Sequence, residues 1–475
     1  MNFLDKNRNG CIVIRFFWLM VFILSTILLI ITFQLERRNG EMKKTTGRIL
    51  AIVIAVFIAI PAYAIDVSKI DFGGQVRVRG YQLDNMWDFN SETDGDDWST
   101  FRIKSSLNAK VDLGDGVIGF VQFTNQTYGE GISDAGDNTS NKVFADNAYI
   151  QVNQFLDLPV TLKFGRQNLM YGSGFVLFDG QSQMASTSVY FDAVKLTFNL
   201  TDKILLDAIY AKDQENSRSD AQEDDITLSG LYLTVKECPV LKAQNELYIL
   251  RRQDDTLEKD IAMLGFRTSN RLPVGLDYSF EMAYQMGDAS KDLDQEAFGV
   301  KFEGGFTLDM PLKTRLFAGY VINSGDDDPN DDESNRWDVF YGGWPQYGDL
   351  LAWHMLNLGG ANVHQQVDAN YNELSSVIAE AAYSNLQMIS IGASSSYKNF
   401  SGKATLAKLY FHKVADTIDD KEFGNYFQLS AKYSYTKALS FSMYAALLQP
   451  TGAFEEIMDD PDDAIEFFWE TNIRF

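Results

Sequence analysis

Ala464-Ile-Glu-Phe-Phe-Trp-Glu-Thr-Asn-Ile-Arg-Phe475 constrains the fold more than any other stretch of this chain. Read with a period of two, Ile465, Phe467, Trp469, Ile473 and Phe475 fall on one face. Glu466, Glu470, Asn472 and Arg474 fall on the other. A β-strand alternates its side chains in this way, and the length suits the roughly 9–11 residues that carry a tilted strand across a bilayer. An amphipathic edge strand of a soluble sheet shows the same alternation, so the rest of the chain has to decide between the two.

The amino end points out of the cytoplasm. Met42-Lys43-Lys44 to Arg48 is a basic start, Ile49 to Ile60 an apolar run of signal-peptide length, and Pro61-Ala62-Tyr63-Ala64 an A-x-A cleavage site. Residues 42–64 therefore read as a signal peptide and Ile65 as the mature start. Upstream, Ile12 to Phe33 is long enough to span a bilayer, and a membrane anchor is one reading of it. The other, which a complete signal peptide directly downstream favours, is that residues 1–41 are an untranslated extension and Met42 the true start. Arg37-Arg38 is encodable as AGG-AGG, a ribosome-binding sequence at a suitable distance.

Composition agrees with export. Residues 1–64 carry eight Lys or Arg and three Asp or Glu, so the remainder holds a charge of −29 against −24 for the whole chain. Nucleic-acid binding needs clustered positive charge and is excluded as a partner class. Cys238 alone remains in the mature chain, so no disulfide forms within it. No apolar run there approaches 18 residues, which rules out a helical inner-membrane protein. No linker divides residues 65–475, which read as one architecture.

The connections alternate short and long. Short turns stand at 112–116, 156–159, 199–202, 237–239, 269–273, 309–311, 398–400 and 436–437. Longer polar segments lie at 83–98, 129–142, 169–188, 213–224, 252–259, 287–294, 323–386, 414–422 and 449–463. An all-β, antiparallel transmembrane barrel of about 18 strands, with short periplasmic turns and long external loops, has this rhythm. Leu276, Tyr278, Phe280, Met282 and Tyr284 would face lipid, and Asp277, Ser279 and Glu281 the lumen. Segments 204–210 and 226–235 alternate poorly. Eighteen strands enclose more space than wall side chains fill, which implies a water-filled path partly occluded by loops.

Basic residues gather where such a barrel closes. On the first strand Phe72, Gly74, Val76 and Val78 face out, leaving Gln75, Arg77 and Arg79 inside. On the second, Arg102, Lys104, Asn108 and Lys110 face in, and the last strand adds Arg474. Lys163, Lys195, Lys301 and Lys432 also read as inward. A narrow aqueous passage lined in this way favours anions. The structural alternative is that Glu466 and Glu470 pair with Arg79 and Arg77. Asp277 and Glu281 would make the opposite wall acidic.

Gly73-Gly-Gln-Val-Arg-Val-Arg79, Asn147-Ala-Tyr-Ile150, Phe164-Gly-Arg-Gln-Asn-Leu-Met-Tyr-Gly172 and Phe340-Tyr-Gly-Gly-Trp-Pro-Gln-Tyr-Gly-Asp349 together resemble the alginate-export-like outer-membrane channels. The resemblance covers most of the mature chain. It implies an eighteen-stranded barrel in the outer membrane of a Gram-negative bacterium, with lipid, lipopolysaccharide and the β-barrel assembly machinery as partners. The best-known member passes an acidic polysaccharide through an arginine-lined pore. By resemblance, Arg77, Arg79, Arg102, Arg166 and Arg474 are candidates for a surface selecting an anionic solute or polysaccharide. Arg166 shares the lipid-facing parity of Val160, Leu162 and Phe164, so either a bulge follows Phe164 or Arg166 sits at the rim. A general diffusion porin and a structural or adhesive barrel are the alternatives.

Asp84 to Asp97, Asp326 to Glu333 and Glu455 to Asp463 are dense in carboxylates. They read as solvated loops, or as oxygen ligands for Ca²⁺, although not at EF-hand spacing; no other cofactor is indicated. The 323–386 segment exceeds an ordinary connection and reads as a lid or plug packed by Trp337, Trp344 and Trp353. Catalysis finds little support: the mature chain offers His354, His364 and His412, without G-x-S-x-G, HExxH or paired cysteines. Amino-terminal sequencing of protein from outer membranes is expected to read Ile-Asp-Val-Ser. An intact Met1 recovered from inner membranes would overturn the signal-peptide reading.

Overall fold

The structure, a computed structural model, describes residues 70–85, 88–92, 97–128, 143–178, 190–215, 225–238, 242–326, 328, 331–342, 348–356, 367 and 383–475. The extension, signal peptide and cleavage site read at 1–64 lie outside these residues. The described residues form β1 (Ile70–Asp84), β2 (Trp98–Gly114), β3 (Val117–Tyr128), β4 (Val143–Val152), β5 (Val160–Gln167) and β6 (Phe191–Asn199). There follow β7 (Ile204–Glu215), β8 (Asp225–Val235), β9 (Gln244–Asp254), β10 (Lys259–Arg271), β11 (Leu276–Ser290) and β12 (Leu293–Thr307). The last six are β13 (Arg315–Asn323), β14 (Leu386–Tyr397), β15 (Phe400–Phe411), β16 (Glu422–Ser434), β17 (Leu439–Pro450) and β18 (Ala464–Arg474).

Each strand pairs antiparallel with its neighbours in sequence, and β18 returns to β1, from Gln75↔Arg474 to Asp84↔Ile465. The sheet is therefore a closed barrel. All eight short turns read from the sequence fall between strands, at one end of the barrel. Two of the expected long loops do not exist. Half of segment 252–259 belongs to β9 and β10, and most of 287–294 to β11 and β12, whose strands run on to tight turns. Polar residues at and beside these turns pair across the ladder: Arg251 and Gln253 bond Asp260, and Tyr284 bonds Glu296. Charge that reads as loop in one dimension is cross-strand pairing in two.

Outward side chains make an apolar belt that includes Phe72, Leu107, Phe164, Leu264, Met282 and Phe441, all exposed. Such a belt is stable only against lipid. The poorly alternating segments 204–210 and 226–235 are regular strands that are apolar on both faces. Tyr210 and Leu231 point out, while Ile209 and Tyr232 are buried inside. The inner face is apolar because Tyr171, from the β5–β6 connection, packs against Tyr232 with the ring centroids 4.3 Å apart.

Two long connections fold into the lumen and join. Tyr341 donates its N–H to Val176 O and accepts from Phe178 N–H, each at 3.1 Å. Trp337 stacks on Phe175 at 5.5 Å and is buried; Trp344 and the Trp353 side chain lie outside the described residues. Asp338 anchors this segment to the wall, with Lys259 Nζ at 2.9 Å and Arg252 Nη1 at 3.3 Å. Burial pushes the Asp338 carboxyl up, but Lys259 and Arg252 prevail and hold it at about 2. Acidic loop residues staple backbone in the same manner: Glu456 accepts from the Asp419 and Asp420 N–H groups, and Asp462 from Ser91 N–H. Among the described residues no three His, Cys, Asp or Glu gather as a metal site.

The seam between β18 and β1 depends on small residues. Gly74 N–H donates to Phe475 O at 2.8 Å and Phe475 N–H to Gly74 O at 3.1 Å, carrying the ladder past β18. A Cβ on Gly74 would stand 2.7 Å from the Phe475 ring, and one on Gly80 2.5 Å from the Trp469 indole nitrogen. Both aromatics of β18 thus lie across flat places on the outer face of β1. Deleting Phe475, or replacing Gly74 by Leu, is expected to lower the yield of heat-modifiable barrel severalfold, whereas Asn472→Ala leaves it near wild type. Equal yields of the three would show that the aromatic seat does not matter for closure.

Candidate functional site

The register of β1 against β2 sets Arg77 opposite Lys104 and Arg79 opposite Arg102. Parity turns all four inward, as the alternation of Phe72, Val76 and Val78 requires. Directly opposed like charges destabilise a sheet. Here two such pairs stand side by side, each side chain between 2 and 6% exposed within the barrel. Acidic and polar neighbours meet these charges. Arg79 donates from Nε to Glu470 at 2.7 Å and from Nη1 to the Tyr81 hydroxyl at 2.8 Å, and lies over the Phe468 ring at 4.5 Å. Arg77 Nε approaches Glu470 at 3.8 Å, and Arg102 donates to Gln126 at 3.2 Å.

A further carboxylate arrives from the long connection between β13 and β14. Helix α1 (Asp349–Leu356) lies inside the barrel. Asp349 Oδ2 is 3.6 Å from Arg79 Nη1 and accepts from the Tyr81 hydroxyl at 3.3 Å, while its N–H donates to the Tyr444 hydroxyl at 3.1 Å. Burial pushes the Asp349 carboxyl up, against the pull of Arg79 and Arg102. Glu466, fully buried on β18, faces the same group. Arg79 therefore takes Glu470 from the wall and Asp349 from the inserted helix.

Of the residues selected from sequence, Arg77, Arg79, Arg102 and Lys104 converge. Gln75, Lys110 and Arg474 share their side of the barrel but lie toward its short-turn end. Gln75 donates to Asn472 at 3.0 Å, Lys110 stands opposite Asp71 and is exposed, and Arg474 is exposed opposite Gln75. Lys163 is remote on β5, its ammonium 3.8 Å over the Tyr149 ring. Arg166 is not part of the inner wall. It shares outward parity with exposed Phe164, grips exposed Asp192 with two bonds of 2.8 Å, and stacks over Tyr190 at 3.9 Å. The bulge in this region lies instead on β4, at Asp146.

The expected pairing of the two glutamates is also altered. Glu470 serves both Arg79 and Arg77, whereas Glu466 stands opposite Leu83, two inward positions nearer the long loops. The opposite wall is not a run of uncompensated acid. Arg315 Nη2 holds Asp277 at 2.5 Å, and Glu281 meets Arg267 at 3.7 Å, Ser173 at 3.1 Å and Tyr248 at 3.2 Å. His412 is structural, its Nδ1 accepting Gly325 N–H at 3.0 Å. Sequence reading passed over Tyr81, Gln126 and Asp349 as site residues. Asp349 did leave a signal, as the single acid closing an aromatic, glycine-rich run.

Comparison with known proteins places this architecture. A family model described as alginate export matches residues 68–462. Among solved structures the barrel is similar to Acinetobacter baumannii OccAB4, at 10% identity over 86% of this chain and 98% of that one, with a TM-score of 0.54. It is also similar to a BenF-like porin from Pseudomonas fluorescens Pf-5, at 11% identity, 86% and 99% coverage and a TM-score of 0.53. For Pseudomonas aeruginosa OccK2, solved in complex with glucuronate, the identity is 11%, the coverage 86% and 98%, and the TM-score 0.50. No curated protein sequence matches this one. With a family match that begins ahead of β1 and ends just short of β18, the chain belongs to the alginate-export family of outer-membrane β-barrel channels.

Proposed function

We propose that this channel gives passive passage to an anionic solute, an acidic sugar or polysaccharide, along the basic wall of β1 and β2. One observation carries the reading: the facing pairs Arg77–Lys104 and Arg79–Arg102. A sheet built for stability alone avoids like charges in direct opposition. Their clustering on the inner wall of a channel suits a site that a mobile anion approaches. The carboxylate of Asp349, 3.6 Å from Arg79 Nη1, marks where a solute carboxylate would bind. The glucuronate complex of OccK2 is a complex with a carboxylate sugar, the chemistry inferred here. Passage is downhill, so direction follows the gradient and no energy-coupling step is required.

The competing outcome rests on the charge of −29 beyond residue 64, which would gather cations at the external mouth. Reversal potentials across a salt gradient separate the two. The purified barrel is expected to prefer anions at low salt. The preference should fade as the Debye length falls from about 30 Å at 0.01 M to about 3 Å at 1 M. Arg102→Glu with Lys104→Glu should abolish or reverse it. A cation-selective wild type that this double substitution leaves unchanged would show the wall to be ion-paired scaffolding.

Asp349→Asn tests the inserted carboxylate separately. Removing one negative charge beside Arg79 should raise the anion-to-cation permeability ratio severalfold. Glu456→Gln, in an external loop, should change it little. An unaltered ratio for Asp349→Asn would remove Asp349 from the selectivity surface.

A further inference from the structure

The outer wall of β14–β17 carries a groove of about 380 Å³. Its lining follows from register. Ile391, Leu406, Phe427 and Leu447 form one outward row across the four strands. One step toward the long-loop end, Ile389, Lys408, Asn425 and Gln449 make the next, apolar on β14 and polar on the other three strands. On the other side the wall falls to Ala393, Ala404 and Ala445 beside Leu429, so the depression continues as a shallow apolar channel. Across β15 to β17 the surface changes within two rows from hydrocarbon to amides and charge.

A β-bulge gives the groove its cap. Leu409 pairs with Gly424 but Tyr410 pairs with Glu422, leaving Phe423 as the extra residue. Phe423 turns inward onto Phe411 and Phe454, at 5.1 Å from each. Glu422 is left beside Lys408, which bonds it. A Cβ on Gly424 would meet the Gln449 carbonyl oxygen at 2.2 Å, so β16 and β17 approach closely here. Gln449 donates to Asp463 at 3.1 Å, and Asn425 is exposed.

We infer that this groove is a lipopolysaccharide site, seating one acyl chain on the apolar floor and the phosphorylated sugar headgroup against Lys408, Asn425 and Gln449. The groove is continuous with the lipid-facing belt and opens at the height where the strands approach the external loops. Its occupant is therefore a lipid of the outer leaflet. Tails alone gain nothing by exchanging one apolar neighbour for another, so discrimination falls to the cap. An ammonium has three N–H donors, of which Glu422 takes one, and a phosphate oxygen suits the remainder. The two amides and the Glu422 carboxylate offer donors and acceptors for sugar hydroxyls and for amide-linked acyl groups. A phospholipid headgroup has the phosphate but lacks the sugar.

Native mass spectrometry and titration of the full barrel in detergent provide the test, with bis-phosphorylated lipid A, its dephosphorylated form and phosphatidylethanolamine as probes. Lipid A is expected to bind about tenfold more tightly than phosphatidylethanolamine, a difference of about 1.4 kcal/mol. Loss of its phosphates should erase most of that margin. Lys408→Ala with Asn425→Ala should weaken lipid A severalfold while heat-modifiability and single-channel conductance stay unchanged. Leu406→Trp, which fills the floor and leaves the cap intact, should weaken lipid A and phosphatidylethanolamine alike. Equal affinity for the two lipids, preference for the phospholipid, or undiminished lipid A binding by both variants would overturn the assignment.

Discussion

In hydrocarbon, a backbone N–H or C=O without a partner costs several kcal/mol, and no water is at hand to supply one. The closed ladder answers this constraint, and every other feature of the structure is arranged around it. Strand parity decides which residues meet lipid and which meet the lumen. Once closure sets the register, Arg77 has no position available except opposite Lys104. Outward glycines at positions 74 and 80 let β18 lay its aromatics across β1 where two wider side chains would collide.

Closure at this strand number leaves an interior that the wall cannot fill. The chain fills much of it with its own connections. The segments around Phe175 and Trp337 pack on the side of β7 to β12, where the inner face is apolar or locally ion-paired. Helix α1 goes to the other side and brings a carboxylate to the basic wall. The two halves of the interior thus differ in kind. One is a conventional packed core that happens to lie inside a barrel, and the other gathers four basic side chains on two neighbouring strands.

Much of this was legible in the sequence because turn chemistry is local. Gly and Asp at Asp112–Gly116, or Asn at Lys398–Phe400, announce a reversal whatever surrounds them. The parity of β1 and β2 was equally plain, since an apolar belt leaves inward residues no alternative. Arg166 obeyed the same rule: its parity was outward in the sequence and is outward in the barrel. What could not be read was any feature that depends on a distant partner. Strands β7 and β8 hid their alternation because Tyr171, which makes their inner face apolar, comes from another loop. Segment 252–259 looked like a loop because Arg252 and Lys259 find their partner, Asp338, in a distant connection. Asp349 had no periodic context, and only the path of a long connection brings it to Arg79.

The pairing of Gln75 with Arg474 joins residues about four hundred positions apart. Chain entropy opposes such a contact only logarithmically, by about 5 kcal/mol on a (3/2)RT ln n scale, so a ten-residue ladder offsets it readily once all its rungs form together. The difficulty is one of order rather than of energy. Each hairpin from β2 to β18 can form from neighbours in sequence, but β1 cannot find its second partner until the final strand has been made. A chain stopped a dozen residues early would hold every local contact described above and would still be an open sheet, with two unpaired edges facing the bilayer.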